Sequence, residues 1–208
     1  MSIQNKLLSC FEKSLPGLPA QLQMAPFHRR NELITPDILK NAVKSSVLIL
    51  FYTMSGKDHI VFIRRPQYNG VHSGQIALPG GRWETTDKSL YHTALREARE
   101  EIGIDTHQVK HLGKLTDLYI PPSNYLVSPF VATYNKQPDF SPDPQEVDEI
   151  LEIPFSFFLE KTSVKNRKIE ILGGLVIETP CFEYKGNVIW GATAMIISEL
   201  IIQWNSTV

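Results

Sequence analysis

The chain has 208 residues, with hydrophobic content of 42%, charged content of 21% and a formal net charge of −1. That suits a soluble protein with one sizeable core and room for a terminal extension; it argues against a basic nucleic-acid surface but leaves phosphate-bearing small molecules open, because a bound metal can supply positive charge. Two cysteines, Cys10 and Cys181, are too few for a disulfide framework or a zinc site, and no stretch reads as a membrane span or a signal core, so a cytoplasmic protein without a membrane partner is expected.

Residues 3–15 place Ile3, Leu7, Leu8 and Phe11 at helical spacing ahead of Pro16. Residues 16–30, with three prolines, read as an extended surface loop. Thr35-Pro36-Asp37 gives an N-cap with proline at the first helical position, opening a short helix to about Val43. The segment 1–45 holds no chemical constellation. It reads as a helical extension packed on a domain of 46–208, and as a candidate homodimer element. Strands follow at 46–53 and 59–65, joined by the turn Ser55-Gly56-Lys57-Asp58, and at 74–78.

Next comes the stretch that carries the chemistry. Pro79-Gly80-Gly81 permits a tight backbone, Asp87 is the expected N-cap, and Gly103 is the C-cap glycine. At 100° per residue, Leu90, Tyr91, Ala94, Leu95, Ala98 and Ile102 share one buried face. Glu97, Glu100 and Glu101 fall at i, i+3 and i+4 on the edge of that stripe, Glu101 partly on the core side. Like charges at this spacing each cost a helix roughly 0.2–0.5 kcal/mol, and a partly buried carboxylate costs more. A cation there offsets both. Three hard oxygen ligands on one rigid element suit Mg²⁺ or Mn²⁺, which share their shell with water and substrate phosphates. Arg96 can pair with a glutamate and fix its rotamer. The competing reading is a solvated acidic helix face with ordinary Arg–Glu pairs.

Downstream, 109–120 reads as one long strand, broken by Pro121-Pro122-Ser123-Asn124. The next strand is 125–134, in which Pro129 places a bulge or an edge. A proline-rich loop, a strand at 147–153 and a short helix at 155–161 follow. Strands at 168–172 and 182–190 flank the Gly173-Gly174 turn, and an apolar helix at 192–204 closes the chain. Without a regular β-α-β-α rhythm, the pattern predicts an α/β fold with a mixed sheet and helices on both faces.

Arg64 and Arg65 end a strand before a polar loop, where arginine can fork onto phosphate or make strand-end salt bridges. Tyr68 and Trp83 can stack on an adenine ring or simply pack. His72 alone reads as a hydrogen-bonded structural histidine. The acidic loop around Glu146 and Glu149 reads, on its own, as a solvated charge run.

The segment Arg96-Glu97-Ala98-Arg99-Glu100-Glu101-Ile102-Gly103-Ile104 resembles the second half of the Nudix box, with Ala98 in an aliphatic place. The first half departs from it: Asp87 stands where the box has Glu, and eight residues rather than seven precede Arg96. Such a variant is typical of the coenzyme A diphosphatase branch. The stretch from Arg64 to Gly81 is similar to the extra motif of that branch, with Arg65, Gly74 and Pro79-Gly80-Gly81 in register and His72 and Gln75 matching common residues. Pro66 replaces a small Ser or Ala, Gly70 an Arg or Lys, and Leu78 a Phe; Val61-Phe62-Ile63 replaces Leu-Leu-Ser/Thr.

The resemblance covers residue 46 to the end of the last helix. It implies an α/β/α sandwich and a small nucleotide-derived substrate. One to three Mg²⁺ or Mn²⁺ are expected on Glu97, Glu100, Glu101 and the Gly81 carbonyl. Either a box carboxylate or Glu146, with Glu149 behind it, takes the proton, and Arg96 orients the glutamates. Arg64, Arg65, His72 and Gln75 are the implied substrate residues, with Arg65 expected to read the 3′-phosphate that marks coenzyme A. The implied reaction splits coenzyme A or acyl-coenzyme A into 3′,5′-adenosine diphosphate and 4′-phosphopantetheine. Its rivals are a Nudix diphosphatase for ADP-ribose, dinucleoside polyphosphates or oxidised nucleotides, and a non-catalytic Nudix-like module. The intact glutamates argue against the last.

Overall fold

The computed structural model describes residues 2–31, 34–171 and 173–206. Helix α1 (Ile3–Phe11) is capped by Ser2, whose hydroxyl accepts from the Asn5 N–H, and buries Leu7 and Cys10. The stretch predicted as a surface loop is helical instead. It forms α2 (Leu18–Gln21), with proline in its first turn, and 3-10 turns at Leu22–Met24 and Phe27–Asn31. Ala20, Gln21, Met24, Ala25 and Arg29 are buried there. Proline reads locally as a loop signal, whereas the burial comes from a partner helix far along the chain. Thr35 caps α3 (Pro36–Lys40) as expected.

Strands β1 (Val43–Met54) and β2 (Lys57–Arg64) form a hairpin through Ser55 and Gly56, both at positive φ, as a two-residue turn requires. Short β3 (Ile76–Ala77) and β4 (Gly80–Arg82) follow. Beyond its pairing with β1 at the hairpin end, β2 pairs with β3 through Ile63 and Arg64. Strand β1 in turn pairs with β4 at 45–47. The two long strands therefore diverge, and the chain of 65–82 fills the wedge between them. That wedge is where the glycine pair sits.

Helix α4 (Leu90–Ile102) comes next, then β5 (Val109–Lys114), β6 (Leu118–Ile120) and β7 (Tyr125–Tyr134). The single strand predicted over 109–120 is thus two. Thr116, at the break, donates its N–H to Glu199 and accepts on its carbonyl from Gln21, so its backbone is satisfied without a strand partner. Pro129 marks no sheet edge. β7 lies between parallel β1 and antiparallel β5 and β6, and the Pro129 carbonyl accepts from Leu115 beside the break, so the missing N–H meets an interruption.

Strand β8 (Glu149–Pro154) pairs along β2 and leads into α5 (Phe155–Leu159). The two strands predicted between 168 and 190 are three: β9 (Val164–Glu170), β10 (Val176–Tyr184) and β11 (Asn187–Trp190), a separate antiparallel sheet. Leu172, at the end of one predicted strand, lies outside the described residues. Helix α6 (Gly191–Asn205) ends the fold.

Alternation along β1 divides the core. Leu48, Leu50 and Tyr52 pack on Ala94, Ala98 and Ile102 of α4, while Ile49 and Phe51 face a cluster that includes α5, α6, Leu7 and Met24. The result is the mixed sheet with helices on both faces that the sequence predicts. Helix α6 also holds the N-terminal segment through buried polar groups: Gln21 donates to Glu199 at 2.8 Å, and Ser198 to the Ala20 carbonyl at 2.8 Å.

Candidate active site

Helix α4 and strand β4 are tied together by the acidic face. Glu101, 2% exposed, accepts the Gly80 N–H at 2.7 Å. The Glu97 carboxylate lies so close to Gly81 that a Cβ there would stand 2.4 Å from its Oε2. Only glycine fits. Burial pushes the Glu101 carboxyl up to about 8, against the opposing charge of Arg65 and the Gly80 hydrogen bond. Burial likewise raises Glu97, with Arg96 opposing.

Arg96 is the hub of the remaining charges. It forks onto Asp87 through Nε and Nη2, both at 3.0 Å, and reaches Glu97 and Glu100 through Nη1, both at 2.9 Å. Asp87 is therefore not the N-cap. Ser89 is, accepting from the His92 N–H, and Asp87 folds back to take Arg96, the Thr93 hydroxyl and the Glu84 N–H. The hydrogen bond from Arg96 holds the Asp87 carboxyl down at about 2. A depressed carboxyl stabilises the fold above its unfolded value near 4 and loses that contribution as pH falls through about 2. Urea unfolding of the wild type and Asp87→Asn from about pH 5 downward checks this: a wild-type advantage of order 1 kcal/mol is expected to close at the acid end. An advantage that persists near pH 2 would deny Asp87 its ionic role.

The acidic loop caps the other end of the helix. Ser141 and Asp143 donate their N–H groups to the Ile102 and Glu101 carbonyls, both at 3.1 Å. This brings exposed Glu146 near enough for its charge to raise both Glu97 and Glu101. Glu149 stands apart on β8, held by Arg64 at 2.9 Å; Arg64 also donates to Asn187. Neither lines the site cavity. Both are committed to joining β2 and β8.

That cavity, of about 930 Å³, is lined by Arg65, Tyr68, His72 and Gln75 together with Gly80 and Gly81; Glu97, Glu100, Glu101 and Glu146 are not among its lining residues. Arg65 Nη2 donates to the Gly80 carbonyl at 3.4 Å, and its charge acts on Glu101. It therefore stands beside the Gly80 carbonyl, within electrostatic reach of Glu101. His72 Nδ1 lies 3.0 Å from Gln75 Oε1, and burial holds its imidazole below the ordinary range. Trp83 is outside the cavity, beneath Lys44 at 6.0 Å.

Sequence reasoning missed three features of the site. Asp87 as the anchor of Arg96 was hidden by its capping propensity. Ser46, its hydroxyl buried without a hydrogen-bond partner, lines the cavity from β1. Pro26, His28 and Arg29 of the N-terminal segment form part of the wall, and Arg29 donates to the Tyr119 carbonyl and to Met195 Sδ. The small apolar run Ala20, Met24 and Ala25 was the available signal.

Among the described residues no three His, Cys, Asp or Glu groups stand in ligating positions as they are, and Arg96 engages Glu97 and Glu100. The donor chemistry nonetheless fits a hard divalent cation. Glu97, Glu100 and Glu101 offer carboxylate oxygens, and two of the three are penalised as anions by burial.

Residues 43–173 match the family described as NUDIX domain. The chain belongs to the Nudix family. It is a hydrolase of diphosphate bonds, and Nudix hydrolases use divalent metals such as Mg²⁺ or Mn²⁺. An uncharacterized Nudix hydrolase NudL of Photorhabdus laumondii is 32% identical over 183 residues, covering 88% of this chain and 92% of that one. Nudix hydrolase 22, chloroplastic, of Arabidopsis thaliana is 32% identical over 192 residues, with 89% and 59% covered. The peroxisomal coenzyme A diphosphatase NUDT7 of Mus musculus is 32% identical over 142 residues, with 68% and 59% covered. The chain thus spans about three-fifths of the plant and mouse proteins. Among its described residues no helix is long and apolar enough to cross a membrane.

Proposed function

We propose that this Nudix hydrolase cleaves the diphosphate of coenzyme A or acyl-coenzyme A, releasing 3′,5′-adenosine diphosphate and 4′-phosphopantetheine. The observation that carries the reading is the shared cavity. The loop that resembles the coenzyme A motif, with Arg65, His72 and Gln75, lines the same cavity as Gly80 and Gly81. The likeness to the mouse coenzyme A diphosphatase supports it.

In this reading Glu97, Glu100 and Glu101, with the Gly81 carbonyl, hold Mg²⁺ or Mn²⁺. The cation supplies neutralisation of the diphosphate and a water of lowered pKa. Arg65 holds the diphosphate against the glycine loop. Arg96, fixed on Asp87, sets the rotamers of Glu97 and Glu100 and does not touch substrate. A box carboxylate or Glu146, whose charge reaches Glu97 and Glu101, takes the proton. His72 and Gln75, bonded to one another, shape the cavity wall at the substrate.

A specific observation favours a second reading. Gly70 carries no charge where the coenzyme A motif has a basic residue, which suits a wider set of ADP-linked substrates such as ADP-ribose. The deciding experiment is a panel of coenzyme A, acyl-coenzyme A, ADP-ribose, diadenosine polyphosphates and nucleoside triphosphates, each with Mg²⁺ or Mn²⁺, with products identified by mass. Preferential release of 4′-phosphopantetheine is expected. A clear preference for ADP-ribose over coenzyme A would replace the first reading by the second.

A further inference from the structure

The loop between β2 and β3 carries one side chain that the proposed reaction leaves unused. Tyr68 lines the cavity beside Arg65 and His72, yet it is 50% exposed. A ring so exposed gains little from burial, so packing alone does not account for it.

Its position is fixed all the same. The hydroxyl donates to the Val71 carbonyl at 2.7 Å, and the backbone N–H donates to Ser73 Oγ at 2.9 Å. The loop is closed at its base, where the Arg65 N–H donates to the Gln75 carbonyl at 3.0 Å and the Gly74 N–H to the Pro66 carbonyl at 3.2 Å. Gly70 belongs to the same device. A Cβ there would stand 2.6 and 2.9 Å from two ring carbons of Tyr68, so the ring fills the space that a side chain at 70 needs. The glycine and the ring come as a pair: the loop gives up a side chain at 70 and gains a rigid aromatic at the cavity.

We infer that Tyr68 is the platform on which the substrate's nucleobase stacks, so that the nucleotide is gripped through its base rather than by a charge at position 70. The inference rests on the cavity being the substrate site, as proposed above. Arg65 and Tyr68 line the same cavity, the arginine at the Gly80 carbonyl and the ring three residues further along the loop. A diphosphate on the first leaves the attached nucleoside free to reach the second. Stacking on an aromatic tolerates any base, and it gives no reason to require a 3′-phosphate.

The test is competitive inhibition of turnover by ADP, UDP and inorganic pyrophosphate. It works on whichever substrate the panel selects, so it does not depend on coenzyme A being that substrate. ADP and UDP are expected to bind the wild type more tightly than pyrophosphate. Tyr68→Ala is expected to cut that advantage by about tenfold, toward the lower end of the range for one stacked base, while pyrophosphate inhibits as before. Tyr68→Phe, which keeps the ring and loses the bond to Val71, is expected to retain most of it.

Binding of fluorescent ethenoadenosine diphosphate gives the same comparison without turnover. Its emission is expected to be quenched by the wild type and by Tyr68→Phe, and much less by Tyr68→Ala. An unchanged ADP advantage in Tyr68→Ala would overturn the inference. So would parallel weakening of ADP and pyrophosphate, which marks a collapsed loop, or a Phe variant as poor as Ala, which moves the role to the hydroxyl.

Discussion

Glu101→Gln is expected to lose about 10²–10⁴ of the wild-type rate on the best substrate while folding as well as the wild type or better. Glutamine keeps the volume and can still accept the Gly80 N–H on its amide oxygen, so the tie between α4 and β4 survives. It removes a carboxylate that burial has made costly as an anion. In metal-free protein the substitution therefore relieves a strain and is expected to hold or raise the melting temperature. With Mg²⁺ or Mn²⁺ the ranking reverses. The wild type gains stability by binding the cation, whereas the variant has given up a hard anionic ligand and gains less. Excess chelator is expected to abolish wild-type turnover, and added Mg²⁺ or Mn²⁺ to restore it. If Glu101→Gln turns over normally and shows the same metal-induced rise in melting temperature, Glu101 is not a ligand. If Glu97→Gln and Glu100→Gln behave alike, the acidic face does not hold the metal.

The acidic face was readable because it depends on helical periodicity, which is local. Glu101 on the core side, Gly103 as the C-cap and the β1–β2 turn all follow from short-range rules, and each stands where the pattern puts it. The errors share a different physics. Residues 16–30 look like a loop because proline is a strong local signal, but their burial is decided by α6, some 170 residues away. The break at Thr116 is set by Glu199 and Gln21, neither of which is near it in sequence. Asp87 has the propensity of an N-cap, yet a partly buried arginine outbids a single backbone N–H for its carboxylate. Arg64 and Arg65 are adjacent and chemically alike, and only the register of Arg65 in the motif it resembles set them apart in the sequence. In the fold Arg64, the last residue of β2, turns to Glu149 and Asn187, and Arg65, just beyond the strand, turns to the cavity.

Arg65→Ala is expected to cost about 10²–10³ in kcat/KM, and to cost it on every diphosphate substrate alike. The equal loss is the informative part. An arginine devoted to a 3′-phosphate would be missed by coenzyme A and hardly missed by dephospho-coenzyme A or ADP-ribose. The structure instead sets the guanidinium 3.4 Å from the Gly80 carbonyl, with its charge acting on Glu101. In the proposed reading it faces from there the diphosphate that all these substrates share. Arg65→Lys is expected to recover only part of the loss, because an ammonium keeps the charge but cannot fork onto two phosphate oxygens. The variant also strips Glu101 of the cation that opposes its burial, so Arg65→Ala should be slightly less stable than the wild type without metal. Kinetics on coenzyme A, dephospho-coenzyme A and ADP-ribose, measured side by side at saturating Mg²⁺, decide the matter. A loss confined to coenzyme A would return Arg65 to the 3′-phosphate, and near-native kinetics on all three would take it out of the site.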